Sequence, residues 1–461
     1  MHSEGERKPT YEELEQRVAY LESLVLKFNA RIEELEKKLA EKYPPTKPDP
    51  PAFVKPNRKK RHKKPGRPEG HEGCSRMRPA DVDEEIDLTI TICPDCGGAL
   101  GSPVGDREHV QEDIVPAKKK VTLYRRYRYW CSQCRRLVEA PPAEGEIPYA
   151  RIGPVAVAWS VKLKHSLGVP FEKTEQLLED LCGLRVSPGA LAQIAQRVAC
   201  RLSPEVDYIR DGIRGSPSVN TDESGWRVGG RNNWLWAFVT DRLALYRIAP
   251  SRAGRIAAVE LGDDYGGVVV SDFFSAYNKL PYEQQKCIVH LLRELRECSK
   301  KNKTPEFAAF RKKLKRIISD AVRLVESEGF DPALCENRIW RLHDRCYALA
   351  VADYKDPDCR RLAKRLWLHG ENLFTFLFHP GVVTPDNNRA ERAIRPAVVL
   401  RKISGGSRTG NGANATADLM SLSRTCQLNG VDFVAFLRKA IHHHLCGFQG
   451  SVLGDMILSQ N

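Results

Sequence analysis

The chain has 461 residues, which at roughly 150 residues per domain predicts about three folded units. Its 73 Lys and Arg outnumber its 59 Asp and Glu, and the resulting net charge of +14 points to a polyanionic partner, most often nucleic acid. A mean hydropathy of −0.45, no apolar run near the roughly 18 residues of a spanning helix, and no signal-peptide pattern exclude membrane and secreted classes. Fourteen cysteines in so long a chain are not a disulfide scaffold, so a reducing cytoplasm is expected.

A heptad repeat runs through residues 10–41. Two registers with a seven-residue step are apolar: Leu14, Leu21, Phe28 and Leu35 in one, and Tyr11, Val18, Val25, Ile32 and Leu39 in the other. This pattern favours a parallel coiled coil, so residues 1–43 are predicted to form a leucine zipper that makes a homodimer or a higher oligomer. An amphipathic helix packed on its own domain is the alternative.

A Pro-rich basic linker is predicted over residues 44–73. Between Asp49 and Glu69 it has eight cations and no acid, so it can neutralise DNA phosphates without reading sequence. The residues proposed to contact DNA are Lys59, Lys60, Arg61, Lys63, Lys64 and Arg67. A solvated tail that only confers solubility is the alternative.

Two CxxC pairs predict a zinc-binding β-ribbon domain over residues 74–148. Cys93 and Cys96 form one knuckle, Cys131 and Cys134 form the other, and two knuckles complete a tetrahedral site for structural Zn²⁺. A redox CxxC is the rival explanation. The segment from Lys120 to Trp130 has the composition of a strand, in which cations alternate with aromatic residues as in nucleic-acid binders. Its proposed DNA contacts are Arg125, Arg126 and Arg128, and an ordinary amphipathic hairpin remains open.

Residues 149–213 have a helical pattern. Phe171–Leu181 and Pro188–Leu202 are predicted as two helices, the second with Ser187 as N-cap and Pro188 at its first position. They resemble a helix-turn-helix whose second helix would reach a DNA groove through Gln193, Gln196 and Arg197. Two helices of an ordinary bundle are equally compatible with this pattern.

From Pro217 the pattern changes to strands. A strand is predicted to end at Asp222, two more cover 234–240 and 244–248, a helix spans Ser251–Leu261, and an apolar strand from Gly267 ends at Asp272. Ligand sites lie beyond the carboxyl ends of such strands, so both acids are placed where function is expected.

A further helix is predicted to begin with Thr384 as N-cap and Pro385 at its first position. Asn387 and Glu391 share a face that offers oxygen ligands, and the adjacent face offers phosphate contacts from Asn388, Arg392 and Arg395.

At this point the sequence resembles transposases of the insertion sequence 66 family, which are of the DDE type. The matching stretches are Thr221–Val228, Pro250–Gly254, Ser271–Tyr277, Cys287–His290 and Asn387–Ile394, and the zipper, linker and double CxxC follow the family order. The resemblance implies a multidomain α/β protein with a ribonuclease-H-like core over residues 214–430, a helical insertion at about 300–378 and a helical tail over 431–461. It makes Asp222, Asp272 and Glu391 the catalytic acids. From the residues alone, His290 is interpreted as a packed core histidine, with a catalytic histidine as the alternative. His442 to His444 are interpreted as surface residues.

Three carboxylates in one pocket repel each other by roughly 4 kcal/mol per pair at about 4 Å and an effective dielectric near 20. Their clustering is explained by two Mg²⁺ or Mn²⁺ ions, with Asp222 bridging both and Asp272 and Glu391 holding one each. The resemblance implies cleavage at element ends and transfer of the 3′-hydroxyls to target DNA by a nucleoid-associated, cytoplasmic enzyme. Its partners would be the terminal repeats, the target duplex and element-encoded accessory proteins, with no membrane. The alternatives are an inactive DNA-binding regulator derived from such an element and a metal-dependent nuclease without strand transfer.

Overall fold

The computed structural model describes residues 81–102, 110–112, 117–143 and 145–459. The chain divides into two compact units, Met1–Glu112 and Asp113–Asn461. The predicted zipper and basic linker lie outside the described residues. In the described part of the chain, no helix is long and apolar enough to cross a membrane.

The described part of the first unit contains a tight turn around the first CxxC pair. The Cys93 N–H donates to the Gly98 carbonyl at 2.9 Å, and the Gly97 N–H donates to the Cys93 carbonyl at 3.0 Å. Gly97 has φ +74°, in the left-handed region that favours glycine, so the CxxCG sequence itself sets the turn.

The second CxxC pair connects two short antiparallel strands, β1 (Arg128–Cys131) and β2 (Arg136–Glu139), which pair Cys131 with Arg136. The predicted strand from Lys120 is therefore too long, because it begins only at Arg128. The partner strand has only four residues, so residues before Arg128 have no strand to pair with. Arg126, two residues before β1, forms an ion pair with Glu146.

Among the described residues, four helices precede the central sheet: α1 (Pro154–Val161, continued by a π turn over Lys162–Ser166), α2 (Phe171–Cys182), α3 (Pro188–Arg201) and α4 (Ser203–Arg214). The predicted pair of helices is confirmed as α2 and α3. The Ser187 hydroxyl accepts the Ala190 N–H at 3.4 Å, and Pro188 is the first helical residue. The apolar side of α3 packs into a core that also contains one face of the sheet.

The central sheet has five strands in the order β5–β4–β3–β6–β7. They are β3 (Ser218–Val228), β4 (Arg231–Val239), β5 (Ala244–Ala249), β6 (Val268–Ser271) and β7 (Gln284–Lys286), with α5 (Arg255–Leu261) between β5 and β6. The first three form an antiparallel meander, and β6 and β7 run parallel to β3.

The first strand of the sheet is longer than predicted. Its parallel pairing with β6 ends at Asn220, whereas its antiparallel pairing with β4 continues to Val228. Gly229 and Gly230, at φ +55° and +78°, then make the hairpin turn. Asp222 therefore lies within β3, two residues beyond the end of its parallel part.

A helical block follows β7 and consists of α6 (Ile288–Lys301), α7 (Pro305–Val325), α8 (Glu336–Val351) and α9 (Pro357–His369). It builds a hydrophobic core of its own around residues such as Phe310, Leu314 and Leu362, and this core also receives Val268 and Val270 from β6. The block is thereby fixed to the edge of the sheet that carries Asp272.

The chain continues with α10 (Asn388–Ser404), α11 (Gly410–Leu428), α12 (Phe433–Leu445) and α13 (Val452–Leu458). The predicted start of α10 at Thr384 is wrong. The Thr384 hydroxyl donates to the Asp386 carbonyl at 2.8 Å and the Asp386 carboxylate accepts the Asn388 N–H at 2.9 Å, so residues 384–386 form a turn before the helix.

The two faces of the sheet are covered by different helices. α10 and part of α11 pack on the face that contains Trp226, Leu235 and Tyr246. The opposite face, with Trp236 and Phe238, packs against the helices before the sheet and the C-terminal helices. One side of a five-stranded sheet is therefore occupied by the helix that carries Glu391.

His444, interpreted from sequence as a surface residue, is largely buried instead. Its Nε2 lies 2.8 Å from Oε1 of the fully buried Glu205, and this carboxylate also accepts the N–H groups of Val452 and Leu453 at 3.0 Å each. Glu205 thus caps the N-terminus of α13, and His444 is the neighbouring partner of that cap.

Candidate active site

Three elements bring the predicted acids to one region of the sheet. Asp222 lies in β3, Asp272 directly follows β6, and Glu391 lies in the first turn of α10. The parallel register ends where Asn220 pairs with Val270, so Asp222 and Asp272 each lie two residues beyond the last paired residues of two neighbouring strands. Neighbouring strands are about 4.8 Å apart, and the charge of Asp272 acts on the pKa of Asp222.

Buried hydrogen bonds hold the N-terminus of α10 against β3. The side-chain amide of Asn387 donates to the Thr221 carbonyl at 2.7 Å, and the Asn220 amide donates to Oδ1 of Asn387 at 3.1 Å. Asn387 is 1 % exposed, so it is a tether between helix and strand rather than the ligand that its shared face with Glu391 suggested. Glu391 lies one helical turn after Asn387, so the tether also fixes the position of Glu391 relative to the strand that carries Asp222.

The electrostatics of Asp222 reflect its neighbouring carboxylates. Its pKa is raised to about 7, first by burial and then by the negative charges of Glu223, Asp272 and Glu391. The Glu223 N–H donates to Oδ1 of Asp222 at 2.9 Å and opposes this shift without cancelling it. An ionised Asp222 is therefore unfavourable in the folded protein unless a cation compensates it.

Glu391 is close to two basic side chains. Its Oε1 lies 3.6 Å from Nε2 of His290 and its Oε2 lies 3.8 Å from Arg293. Oε1 is buried and has no hydrogen-bond partner within the described part of the chain. An unpartnered buried carboxylate oxygen is costly, which makes it a candidate metal ligand.

A cleft of about 470 Å³ opens beside these acids. Its lining residues are Asp222, His290, Asn388, Glu391, Arg392, Ile394, Arg395 and Val398. The structure thus brings the predicted phosphate-binding side chains of α10 together with two of the predicted acids. Arg392 and Arg395 are exposed and Asn388 is half-buried, so all three are accessible from the cleft.

Two cations behind Asp272 were missed by sequence reasoning. Lys286, at the end of β7, is fully buried and donates to the Ser271 hydroxyl at 3.0 Å. Burial lowers its pKa to about 8, against the attraction of Asp272. The guanidinium of Arg365 lies 5.0 Å from the centre of the Phe273 ring, and burial lowers its pKa against the same attraction. A lysine that ends a buried strand was a usable signal for Lys286, whereas α9 is too distant in sequence to have revealed Arg365.

A second missed group connects Asp222 to the loop after Asp272. The Tyr277 hydroxyl donates to Oε2 of Glu223 at 2.5 Å, and Arg252 donates to Oε1 at 2.7 and 3.1 Å. The Arg252 guanidinium lies 3.7 Å from the centre of the Phe274 ring and 4.6 Å from that of Trp234. Glu223 directly follows Asp222, and Phe274 lies two residues after Asp272, so these contacts join the two segments that carry the acids. We call Glu223, Arg252 and Tyr277 the carboxylate clamp.

The remaining predicted DNA contacts have different surroundings. On α3, Gln193 and Arg197 are exposed and Gln196 is half-buried. On the ribbon, Arg125 and Arg128 are exposed, whereas Arg126 donates to both carboxylate oxygens of Glu146 at 2.6 and 2.7 Å. The guanidinium of Arg126 is thus already engaged within the chain. The six linker cations lie outside the described residues.

The four predicted zinc ligands occupy two knuckles, Cys93 and Cys96 in the first unit and Cys131 and Cys134 in the second. Backbone N–H groups within each knuckle point to the first sulfur, for example that of Cys134 to Sγ of Cys131 at 3.4 Å. These contacts lower the pKa of Cys93 and Cys131, which favours the thiolate that zinc requires.

Comparison with known proteins gives two family matches. The profile described as Transposase IS66 family matches residues 150–415, and the profile described as zinc-finger binding domain of transposase IS66 matches residues 91–135. The second match includes all four knuckle cysteines, so the chain has a zinc-finger domain.

Similar proteins are found in Sinorhizobium fredii (strain NBRC 101917 / NGR234). Uncharacterized protein y4qI is 25 % identical over 418 residues, which cover 80 % of this chain and 74 % of the relative. Uncharacterized protein y4jD is 26 % identical over 400 residues, covering 79 % and 77 %. The IS66 transposase profile matches more than half of the chain and includes all three converging acids, and the chain therefore belongs to the IS66 family of transposases.

Proposed function

We propose that this protein is a DDE-type DNA transposase that cleaves the ends of an insertion sequence and joins the 3′-hydroxyl ends to target DNA. The observation that carries the proposal is the convergence of Asp222, Asp272 and Glu391. Asp222 and Glu391 line a cleft beside exposed arginines, and the charges of Asp272 and Glu391 both raise the pKa of Asp222. The family match supports the same activity.

The sheet topology supports a ribonuclease-H-like catalytic domain over residues 214–430. An antiparallel meander of three strands is continued by two parallel strands, and a helix carrying an acid covers one face. The helices between Ile288 and His369 interrupt this unit before Glu391, which supports the predicted helical insertion.

The residues of the cleft fit Mg²⁺ or Mn²⁺. The donor atoms are carboxylate oxygens, which these ions prefer. One of them, Oε1 of Glu391, is buried without a hydrogen-bond partner among the described residues. Neighbouring negative charges raise the pKa of Asp222, and a bound cation would compensate them. Asp222 would bridge two ions, with Asp272 and Glu391 holding one each. When bound, such ions activate a water or a 3′-hydroxyl and stabilise the leaving oxygen.

The other residues of the cleft would position DNA. Arg392 and Arg395 offer guanidinium groups that suit phosphate oxygens, and Asn388 adds an amide donor on the same helix. The tether at Asn387 holds this helix at a fixed distance from Asp222, so the phosphate contacts and the acids keep their relative positions. Such preorganisation is how a site of this type lowers the barrier of phosphoryl transfer.

Further modules would bring two DNA ends together. We propose that the zipper over residues 1–43 pairs two subunits, that the basic linker and Arg125 and Arg128 bind phosphates, and that α3 reads a groove through Gln193, Gln196 and Arg197. The four knuckle cysteines would hold one structural Zn²⁺.

Incubation of the protein with Mg²⁺ and a plasmid that carries the DNA ends flanking its gene tests the proposal. We expect nicks at the element boundary and joined products. Asp272→Asn and Glu391→Gln should lose both while retaining DNA binding. Cleavage without joined products would favour the metal-dependent nuclease, and binding without cleavage would favour the inactive regulator.

A further inference from the structure

A second set of metal ligands surrounds the carboxylate of Glu391. The Cys287 sulfur, a ring nitrogen of His290 and a carboxylate oxygen of Glu391 all lie within 4.8 Å of one another. Cys287 is the N-cap residue of α6 and His290 is the third residue of that helix, whereas Glu391 approaches from α10. These three ligand types are those found in zinc sites.

Three backbone N–H groups act on the sulfur of Cys287. The Asn387 N–H donates to its sulfur at 3.2 Å, and the N–H groups of Val289 and His290 at the start of α6 act on it in the same sense. Burial opposes these donors, because Cys287 is fully buried and burial raises the pKa of its thiol. A cation bound to the sulfur would supply the compensation that the protein alone does not.

Two unpartnered polar atoms in the same group point independently to a ligand. Oε1 of Glu391 and Nδ1 of His290 are both buried, and neither has a hydrogen-bond partner among the described residues. Buried polar atoms of this kind call for an explanation, and an ion bound to Oε1 of Glu391 would satisfy that atom.

We propose that Cys287, His290 and Glu391 form a zinc site that competes with magnesium for Glu391 and so inhibits the enzyme. Sulfur and imidazole ligands select zinc over magnesium. His290 and Glu391 also line the cleft, so a fourth coordination position would be open to it. Zinc there would take a carboxylate oxygen of Glu391 and add positive charge beside the magnesium position that this acid serves.

Counting bound zinc tests the site without any reference to activity. The full-length protein, Cys287→Ser, His290→Asn and the matched control Cys346→Ser, whose cysteine is buried in α8, would be equilibrated with buffered free zinc in the absence of magnesium. The wild type and Cys346→Ser should each hold one zinc more per chain than the other two variants. Equal zinc contents in all four proteins would overturn the inference, and His290→Asn decides the matter if Cys287→Ser fails to fold.

The competition rests on the proposed transposase function and is tested by a zinc titration of DNA-end cleavage at fixed magnesium. Activity would be expressed relative to the same protein without added zinc. The zinc concentration that halves this activity should be higher in Cys287→Ser than in the wild type. We expect the increase to exceed roughly 10–100-fold, which is the loss of metal affinity when only an outer-shell partner is removed. Equal inhibition of wild type and variant would refute the competition. A wild type that cleaves nothing in magnesium alone would refute the proposed function, and the zinc count would still decide the zinc site.

Discussion

Asp222→Asn should make the metal-free protein more stable at alkaline pH. The folded protein raises the pKa of Asp222 to about 7 from 3.8, chiefly by burial and by neighbouring carboxylates. A pKa raised on folding means that the folded state binds the proton more tightly, so the ionised carboxylate costs stability. This cost is absent below about pH 4, grows as the pH rises through the interval between the two pKa values, and is complete above about pH 7.

Each pKa unit corresponds to about 1.4 kcal/mol, so a shift of about three units amounts to roughly 4 kcal/mol at most. Because the amide retains some polarity, we expect Asp222→Asn to gain roughly 2–4 kcal/mol at pH 8 and nearly nothing at pH 4. For a cooperative unit of about 200 residues, the size of the proposed catalytic domain, that gain corresponds to a rise in Tm of about 2–4 °C per kcal/mol.

Thermal unfolding in magnesium-free buffer, followed by intrinsic fluorescence, measures this difference, since Trp226 and Trp236 are buried in the same sheet as Asp222. Asp241→Asn, in the exposed turn between β4 and β5, is the matched control and should change little at either pH. Added Mg²⁺ should stabilise the wild type and leave Asp222→Asn nearly unchanged. Equal stability of wild type and Asp222→Asn at pH 8 would refute the electrostatic account of the cleft.

Three further changes test other parts of the structure. Tyr277→Phe removes a hydrogen-bond donor from the buried Glu223 at a cost of roughly 1–3 kcal/mol and should raise the Mg²⁺ concentration needed for cleavage. The control Tyr354→Phe loses a hydroxyl bond to the Leu349 carbonyl within the helical block and should not change that concentration. An unchanged magnesium requirement in Tyr277→Phe would show that the clamp does not support the site. Cys93→Ser and Cys131→Ser should each lose one tightly held zinc in metal analysis, and Cys200→Ser, at an exposed position of α3, should keep it; retention of zinc by either knuckle variant would contradict a shared site. Deletion of residues 44–68 should make the slope of log DNA affinity against log salt concentration less steep by roughly 3–4 units, if about half of the eight linker cations contact phosphate. An unchanged slope would mean that the phosphate contacts lie elsewhere in the protein.

Local patterns predicted the helices and strands well where they depend on neighbouring residues. Ser187 and Pro188 set the start of α3, and the apolar run before Asp272 gave β6, because capping and burial on both faces are visible in a short window. The strand containing Asp222 was predicted too short because its extension depends on pairing with β4. The start of α10 was misplaced because a turn stabilised by Asp386 replaces the expected cap.

The residues of the candidate site also divide into those that local sequence could indicate and those that it could not. Position after or within a strand indicated Asp222 and Asp272, while Glu391 needed the family resemblance in addition to its helical face. The carboxylate clamp and Arg365 could not be predicted, because their roles come from contacts between segments that are distant in sequence, whereas Lys286 ends a buried strand and left a usable local signal. His444 was misjudged for the same reason, since its partner Glu205 lies in another helix.

Strand transfer with a pre-cleaved end tests the central claim most directly. A short duplex that ends in the 3′-hydroxyl of the element boundary would be incubated with a target plasmid, Mg²⁺ and one of three proteins. These are the wild type, Asp272→Asn and the control Asp263→Asn, whose aspartate is exposed in the turn after α5. The account predicts joined product with the wild type and the control and none with Asp272→Asn, although all three bind the duplex. Joined product from Asp272→Asn at the level of the wild type would contradict the assignment of the three acids.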